Sequence, residues 1–182
     1  SRIISEKILI SFGPMFRSKK IIIANLSKAF PKLNELEKKK ILKQMWVNYG
    51  RIFAEYMYIK DFRHGPFRKK IIIENQHILE EVKRDSSPVI FISGHFSNFE
   101  LMAMEIERFG IDQAAVYRPL NNIFLNPLME KVRKKYICKK QIKKGISGTK
   151  ELLQNFKKGT SIALMIDQRV SEGISVNLFS EK

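Results

Sequence analysis

Residues 89–104 read VIFISGHFSNFELMAM. Val89–Ser93 is an apolar run too continuous for a half-exposed edge, so it reads as a strand buried on both faces. Gly94 lets the chain turn, and His95 follows at once. Asn98–Phe109 then has helical periodicity and is stopped by Gly110. A strand, a tight turn and a helix make one half of a parallel unit, with His95 at the carboxyl end of the strand, where α/β sheets bind ligands.

The same alternation continues on both sides. Upstream, Ile71–Ile73 is a short β-branched run, Ile78–Val82 is helical and Asp85–Pro88 is a turn. Downstream come a strand at Ala114–Tyr117, a helix at Phe124–Tyr136, a helix at Ser147–Phe156 closed by Gly159, and an apolar strand at Ser161–Ile166. These lengths predict an α/β fold, a largely parallel central sheet flanked by helices. No internal repeat or low-complexity tract interrupts it.

The first 60 residues differ. Ile4, Ile8, Phe12, Met15 and Phe16 recur at helical spacing in residues 2–16, with Arg2, Lys7, Arg17, Lys19 and Lys20 flanking or facing away. Such an amphipathic helix suits a membrane interface or its own domain equally. After Pro31, Asn34 and Glu37 form a capping-box pattern. A stripe of Ile41, Leu42, Met45, Trp46, Tyr49, Ile52, Phe53, Tyr56 and Met57 then predicts a second helix facing the core. Residues 61–69, with Gly65–Pro66, read as a turn. The expected organisation is N-terminal amphipathic helices over 1–60 and an α/β core over 61–182.

The chain of 182 residues carries 34 basic against 18 acidic side chains, a net charge of +16. Twenty-four lysines against ten arginines, with abundant Ile, are what an AT-rich genome alone would produce. The local distribution says more, since Lys131–Lys150 holds nine basic residues and no acidic one. An anionic partner is expected: phosphate headgroups, an acidic carrier or nucleic acid. One cysteine, Cys138, excludes a disulfide framework and any multi-cysteine metal site. No apolar run reaches the ~18 residues that span a bilayer.

His95 is five residues before Glu100. A tight turn into the helix can bring that carboxylate to one ring nitrogen and leave the other facing the crevice. A His held so is a general base. Equally, Ser97-x-x-Glu100 is itself a capping box, in which Glu100 bonds back to the helix start. Ser97 lacks the Gly-x-Ser-x-Gly elbow of a nucleophile. His64 and His77 lie in unrelated segments and no His-Glu-x-x-His occurs, so no metal site is expected. Gly145–Lys150 (GISGTK) lacks the Gly-Lys-Ser/Thr step of a phosphate loop.

GHFSNFE (94–100) resembles the His-x4-Asp/Glu block of the lysophospholipid acyltransferase superfamily, and within it the bacterial lipid A biosynthesis acyltransferases of the lauroyl/myristoyl type. NLSKAFP (25–31), Tyr117-Arg118-Pro119 with Asn121-Asn122, Arg133 in the next helix and LMIDQ (164–168) are similar to that family's further blocks in the same order. Phe99 stands where the family often has Trp. The resemblance implies transfer of a fatty acyl chain from acyl carrier protein or coenzyme A to a hydroxyl of a lipid A precursor. It gives His95 as base, Glu100 as its orienter, and Arg118 and Arg133 as groups that bind phosphate or stabilise developing charge. Asp167 would line the same pocket, and Phe96, Asn98, Tyr117, Pro119 and Gln168 would contact substrate. It implies no cofactor beyond the acyl thioester. The implied partners are an anionic lipid acceptor, the acyl donor and a membrane surface, at the cytoplasmic face of the bacterial inner membrane, with no nucleic acid. Family members run on past a DQ strand and begin with an anchoring helix, so the core is expected to be truncated at its C-terminus, with residues 1–16 a part of that anchor. Two other readings stand beside this one: an acyltransferase of the same superfamily acting on another glycolipid or a lysophospholipid, and a non-catalytic basic module binding membrane or nucleic acid.

Overall fold

The computed structural model describes residues 2–16, 18–120 and 122–168. The side chains of Phe12, Met15 and Phe16, together with Asn121 and everything from Arg169 onward, lie outside the described set. Four strands, β1 (Ile90–Ser93), β2 (Gln113–Tyr117), β3 (Lys140–Lys143) and β4 (Ser161–Met165), form one sheet in the order β1-β4-β2-β3, with every pairing parallel. The α/β expectation holds. Because all strands run the same way, the segments that follow them emerge along one edge: Gly94–His95, Arg118, Lys144 and Asp167–Gln168.

Three helices precede the core: α1 (Arg2–Phe16), α2 (Lys19–Ala29) and α3 (Glu35–Tyr56). The capping box at the start of α3 is formed as expected. Asn34 Oδ1 accepts from the backbone N–H groups of Leu36 and Glu37 at 3.0 and 2.9 Å, and Glu37 accepts from Asn34 N–H at 2.8 Å. The stripe expected on α3 is only partly inside. Trp46 and Ala54 are buried, whereas Tyr49, Phe53 and Met57 are 50–72% exposed. The reason lies in two glycines. A Cβ on Gly13 would collide with the Trp46 ring, and one on Gly50 would stand 2.7 Å from Glu6 Cα. So α1 packs on the Trp46–Gly50–Ala54 face, not on the bulkiest one. An Arg51–Glu6 ion pair at 2.8 Å flanks that contact. Ile4 and Ile8 of α1 are exposed.

The expected turn at 61–69 is mostly helical. α4 (Ile59–His64) runs to Gly65, and a 3-10 turn covers Pro66–Lys70. Ile59 and Phe62 of α4 join Ala103 and Met104 of α6 (Glu100–Arg108) and Ile137 and Cys138 after α7 (Leu125–Tyr136) in the core. Burial pushes the Cys138 thiol up to about 12, so it is an inert packing group. Ile71–Ile73 is not a strand. Its first N–H closes the 3-10 turn on Arg68 O at 3.1 Å, and the segment leads into α5 (Gln76–Asp85).

β1 corrects another expectation. It is an edge strand, with Ile90 52% and Ile92 61% exposed. The apolar run is one residue type deep on both sides, but α8 (Ile146–Lys157) packs on β2, β3 and β4. β3 was not foreseen, because Lys140-Gln141-Ile142-Lys143 buries only Ile142. Much of the basic stretch 131–150 serves the fold: Lys140 bonds Asp112 at 2.6 Å and Thr160 at 2.9 Å, and Arg133 is drawn to Glu100.

Gly148, in the first turn of α8, sits where a Cβ would collide with the Lys143 carbonyl oxygen. Gly148→Ala therefore has to push α8 off β3. It is expected to cost about 1–3 kcal/mol, read as a lowered midpoint in urea at unchanged slope.

Candidate active site

β1 and β4 are neighbours in the sheet, and Ser93 is in register with Met165. The ladder continues one step further, Ile166 N–H donating to Ser93 O at 3.0 Å. Two residues past each strand end, His95 and Asp167 consequently meet. The Asp167 carboxylate accepts twice from one residue: Oδ2 from the His95 backbone N–H at 2.7 Å, and Oδ1 from the ring Nδ1 at 2.7 Å. Gly94 makes this approach possible, since a Cβ there would stand 3.1 Å from Asp167 Oδ2 and 2.8 Å from the Phe96 ring. The Phe99 ring supports the imidazole edge-to-face at 4.5 Å.

The tautomer follows from the partners. A carboxylate only accepts, so Nδ1 carries the proton and Nε2 presents a lone pair. Gln168 Nε2 lies 3.3 Å from it and can only donate. The two His95 hydrogen bonds, backbone first and ring second, hold the Asp167 carboxyl below the usual carboxylate range.

Glu100 does not take the place expected for it beside His95. The first turn of α6 points its carboxylate at Arg133 of α7, whose Nε and Nη2 both donate to Oε1, at 2.8 and 2.5 Å. The pair is largely buried, with side-chain exposures of 10% and 15%. Burial works against the Arg133 charge, but the Glu100 carboxylate outweighs it and the guanidinium pKa is raised. The buried Tyr56 hydroxyl of α3 stands near this pair without a hydrogen bond of normal geometry. Burial and then the Glu100 charge raise its pKa. The alternative reading of Ser97-x-x-Glu100 as a capping box is not formed either. Ser97 has a left-handed backbone, φ 43°, its hydroxyl lies 3.4 Å from Asn48 Oδ1, and no side chain caps α6.

These groups surround one cavity of about 370 Å³ at the carboxyl edge of the sheet. His95, Glu100, Tyr117, Arg118, Arg133 and Gln168 of the sequence-derived set line it, together with Phe99, Met102, Gln141 and Lys144. Tyr117 donates to Glu130 at 2.6 Å. Burial, then this carboxylate, pushes the phenol up to about 12. Three expected contacts are elsewhere. Phe96 is 79% exposed; Asn98 is buried and donates to Glu55 of α3 at 3.1 Å; Pro119 is not part of the lining. Asp167 stands behind His95 instead of in the lining. Lys144 and Gln141 were missed because β3 was, and their places follow once that strand is paired with β2. Among the described residues no group of three or more His, Cys, Asp or Glu side chains is arranged to hold a metal ion.

The cavity thus offers a fixed imidazole lone pair opposite three cationic side chains, Arg118, Arg133 and Lys144. That combination deprotonates a neutral group and stabilises nearby negative charge. Among curated proteins, none matches the chain significantly. The profile of the family described as bacterial lipid A biosynthesis acyltransferase matches residues 2–182, almost the whole length. The chain belongs to the bacterial lipid A biosynthesis acyltransferase family, and it is an acyltransferase.

Proposed function

We propose that the chain transfers a fatty acyl group from a carrier thioester, acyl carrier protein or coenzyme A, to a hydroxyl of an anionic lipid A precursor. His95, oriented by Asp167, is the general base. The observation that carries this reading is the paired grip of Asp167 on the His95 backbone and ring, which leaves Nε2 toward the cavity.

Nε2 takes the acceptor's hydroxyl proton as the oxygen attacks the thioester carbonyl. A tetrahedral oxyanion forms. The C–S bond breaks, the ester carbonyl re-forms and the imidazolium returns its proton to the leaving thiolate. The ionised Asp167 stabilises the imidazolium in between. Arg133, held by Glu100, is the fixed donor for developing negative charge, and Arg118 and Lys144 are placed to meet acceptor phosphate. In this mechanism Glu100 acts through Arg133, not through His95.

The acceptor is amphiphilic, so the reaction is proposed to take place at the cytoplasmic face of the inner membrane. The charge of +16 supports an anionic surface. The exposed apolar residues Phe96, Ile123, Phe124 and Leu128, on the segments that follow β1 and β2, support an interfacial position. Among the described residues no helix is long and apolar enough to cross a membrane.

Three outcomes test this reading. His95→Ala and Asp167→Asn are each expected to lower the rate of labelled acyl transfer to a lipid A precursor by about 10²–10⁴-fold; equal rates in wild type and His95→Ala would remove His95 from its role. Glu100→Gln leaves Arg133 buried without its anion, and is expected to lose about 3 kcal/mol of stability in urea, while Asp167→Asn keeps its midpoint. Because the folded-state pKa of Asp167 is depressed, its contribution is intact above the unfolded value of about 3.9 and is lost as pH falls through the lower folded value. A carboxyl-carbon NMR titration is therefore expected to place Asp167 below an ordinary aspartate, and the His95→Ala variant is expected to bring it back up.

A further inference from the structure

A second cavity lies beside the first. It has a volume of about 700 Å³ and an apolar lining that includes Ile71, Ile73, Leu79, Phe91 and Leu101. Two features connect it to the catalytic cavity. Met102 lines both. Phe91 and Ala163 are register partners on adjacent parallel strands, so their side chains share one sheet face; Phe91 lines the second cavity and Ala163 the first.

α6 gives the direction. Phe99, just before it, touches the His95 ring. Met102 is about one turn further on, and Glu105 about one turn beyond that, also lining the second cavity. From Phe99 to Glu105 the helix rises ~9 Å. There the lining turns ionic: Glu105 is held by Arg108 at 2.9 Å and Arg68 at 3.0 Å. Over the groove lie α5 and the Ile71–Ile73 segment, which no strand pairs with among the described residues.

We infer that this groove binds the hydrocarbon tail of the acyl donor, with Met102 as the threshold between the reacting carbonyl and the tail, and that Leu79, Phe91 and Leu101 help set which chain length is accepted. The inference rests on the acyl-transfer reading above. A thioester carbonyl in reach of His95 Nε2 has to send its alkyl chain away from Arg118, Arg133 and Lys144, and the apolar opening past Met102 is continuous with that point. The ionic end at Glu105 limits the depth, since each methylene past it leaves an apolar surface for a charged one.

Leu79 is only half-buried and Ile78, also in the lining, is 51% exposed, so a larger side chain at either enters the groove without bursting the core. Turnover of hexanoyl and tetradecanoyl donors is compared in wild type, Leu79→Trp and Ile78→Trp. In Leu79→Trp and Ile78→Trp, kcat/KM for the tetradecanoyl donor is expected to fall at least about tenfold, while that for the hexanoyl donor changes less than about twofold. An equal loss at both lengths overturns the groove assignment. A second measurement is independent of turnover. Tetradecanoyl-coenzyme A carrying a diazirine at its last carbon is photolysed on the wild-type chain and the adducts are mapped by mass spectrometry. Adducts are expected within residues 71–79, at Phe91 or on α6, and fewer in Leu79→Trp. Adducts confined elsewhere overturn the inference. If no donor is turned over by wild type, the acyl-transfer reading fails, and the photolabel still decides the groove.

Discussion

The active cavity depends on one carboxylate that bridges two strand ends. Asp167 binds both the backbone and the ring of His95, at 2.7 Å each. The contact exists because β4 is inserted between β1 and β2, so a segment 72 residues downstream becomes the immediate neighbour of the His95 turn. The backbone bond fixes where the turn sits, and the ring bond fixes how the imidazole faces. A single interaction thereby couples sheet order to tautomer, and tautomer to which nitrogen can accept a proton.

This explains what was and was not legible in the chain. The strand–Gly–His–helix unit, the Asn34–Glu37 cap and the stop at Gly110 are local, decided by residues within a few positions of each other. They could be read directly. The partner of His95 could not. Five residues of spacing made Glu100 a natural candidate, but that choice ignores strand neighbours, and order β1-β4-β2-β3 is a property of the whole sheet. The competing cap reading failed for a different reason: Ser97 takes a left-handed backbone conformation and turns its hydroxyl toward Asn48. β3 escaped notice because one buried Ile among Lys and Gln has no readable period, and with it went Lys144 and Gln141. β1 misled in the opposite direction. Continuous apolarity was read as two-sided burial, yet β1 ends the sheet and keeps Ile90 and Ile92 exposed.

The basic excess also divides once the structure is considered. Arg133, Lys140 and Lys143 each reach an acidic side chain, at 2.5, 2.6 and 4.0 Å. Arg63, Arg68 and Arg108 gather around Glu105 and Glu107 at the far end of α6. These charges organise helices against one another. Arg118 and Lys144 are in no ion pair among the described residues, and both line the cavity. Net charge alone does not separate structural from recognition cations; the position after a parallel strand does.

The Glu100–Arg133 pair is then best understood as a positioning device. A largely buried ion pair gives little net stability over a well-packed apolar pair, because desolvation consumes most of the attraction. It does fix a guanidinium. With Nε and Nη2 both directed at one oxygen, the remaining Nη1 and the guanidinium face are held in one orientation beside Tyr117, 5.8 Å from its ring. A donor fixed before the reaction stabilises charge that develops in it without reorganising, whereas a flexible surface arginine would lose part of that gain in ordering itself. Two acids therefore serve two different bases in the same cavity. Asp167 orients the group that removes a proton, and Glu100 orients the group that receives the resulting charge. Exchanging those partners, as the linear spacing suggests, would leave Arg133 buried and unneutralised and the imidazole without its second anchor.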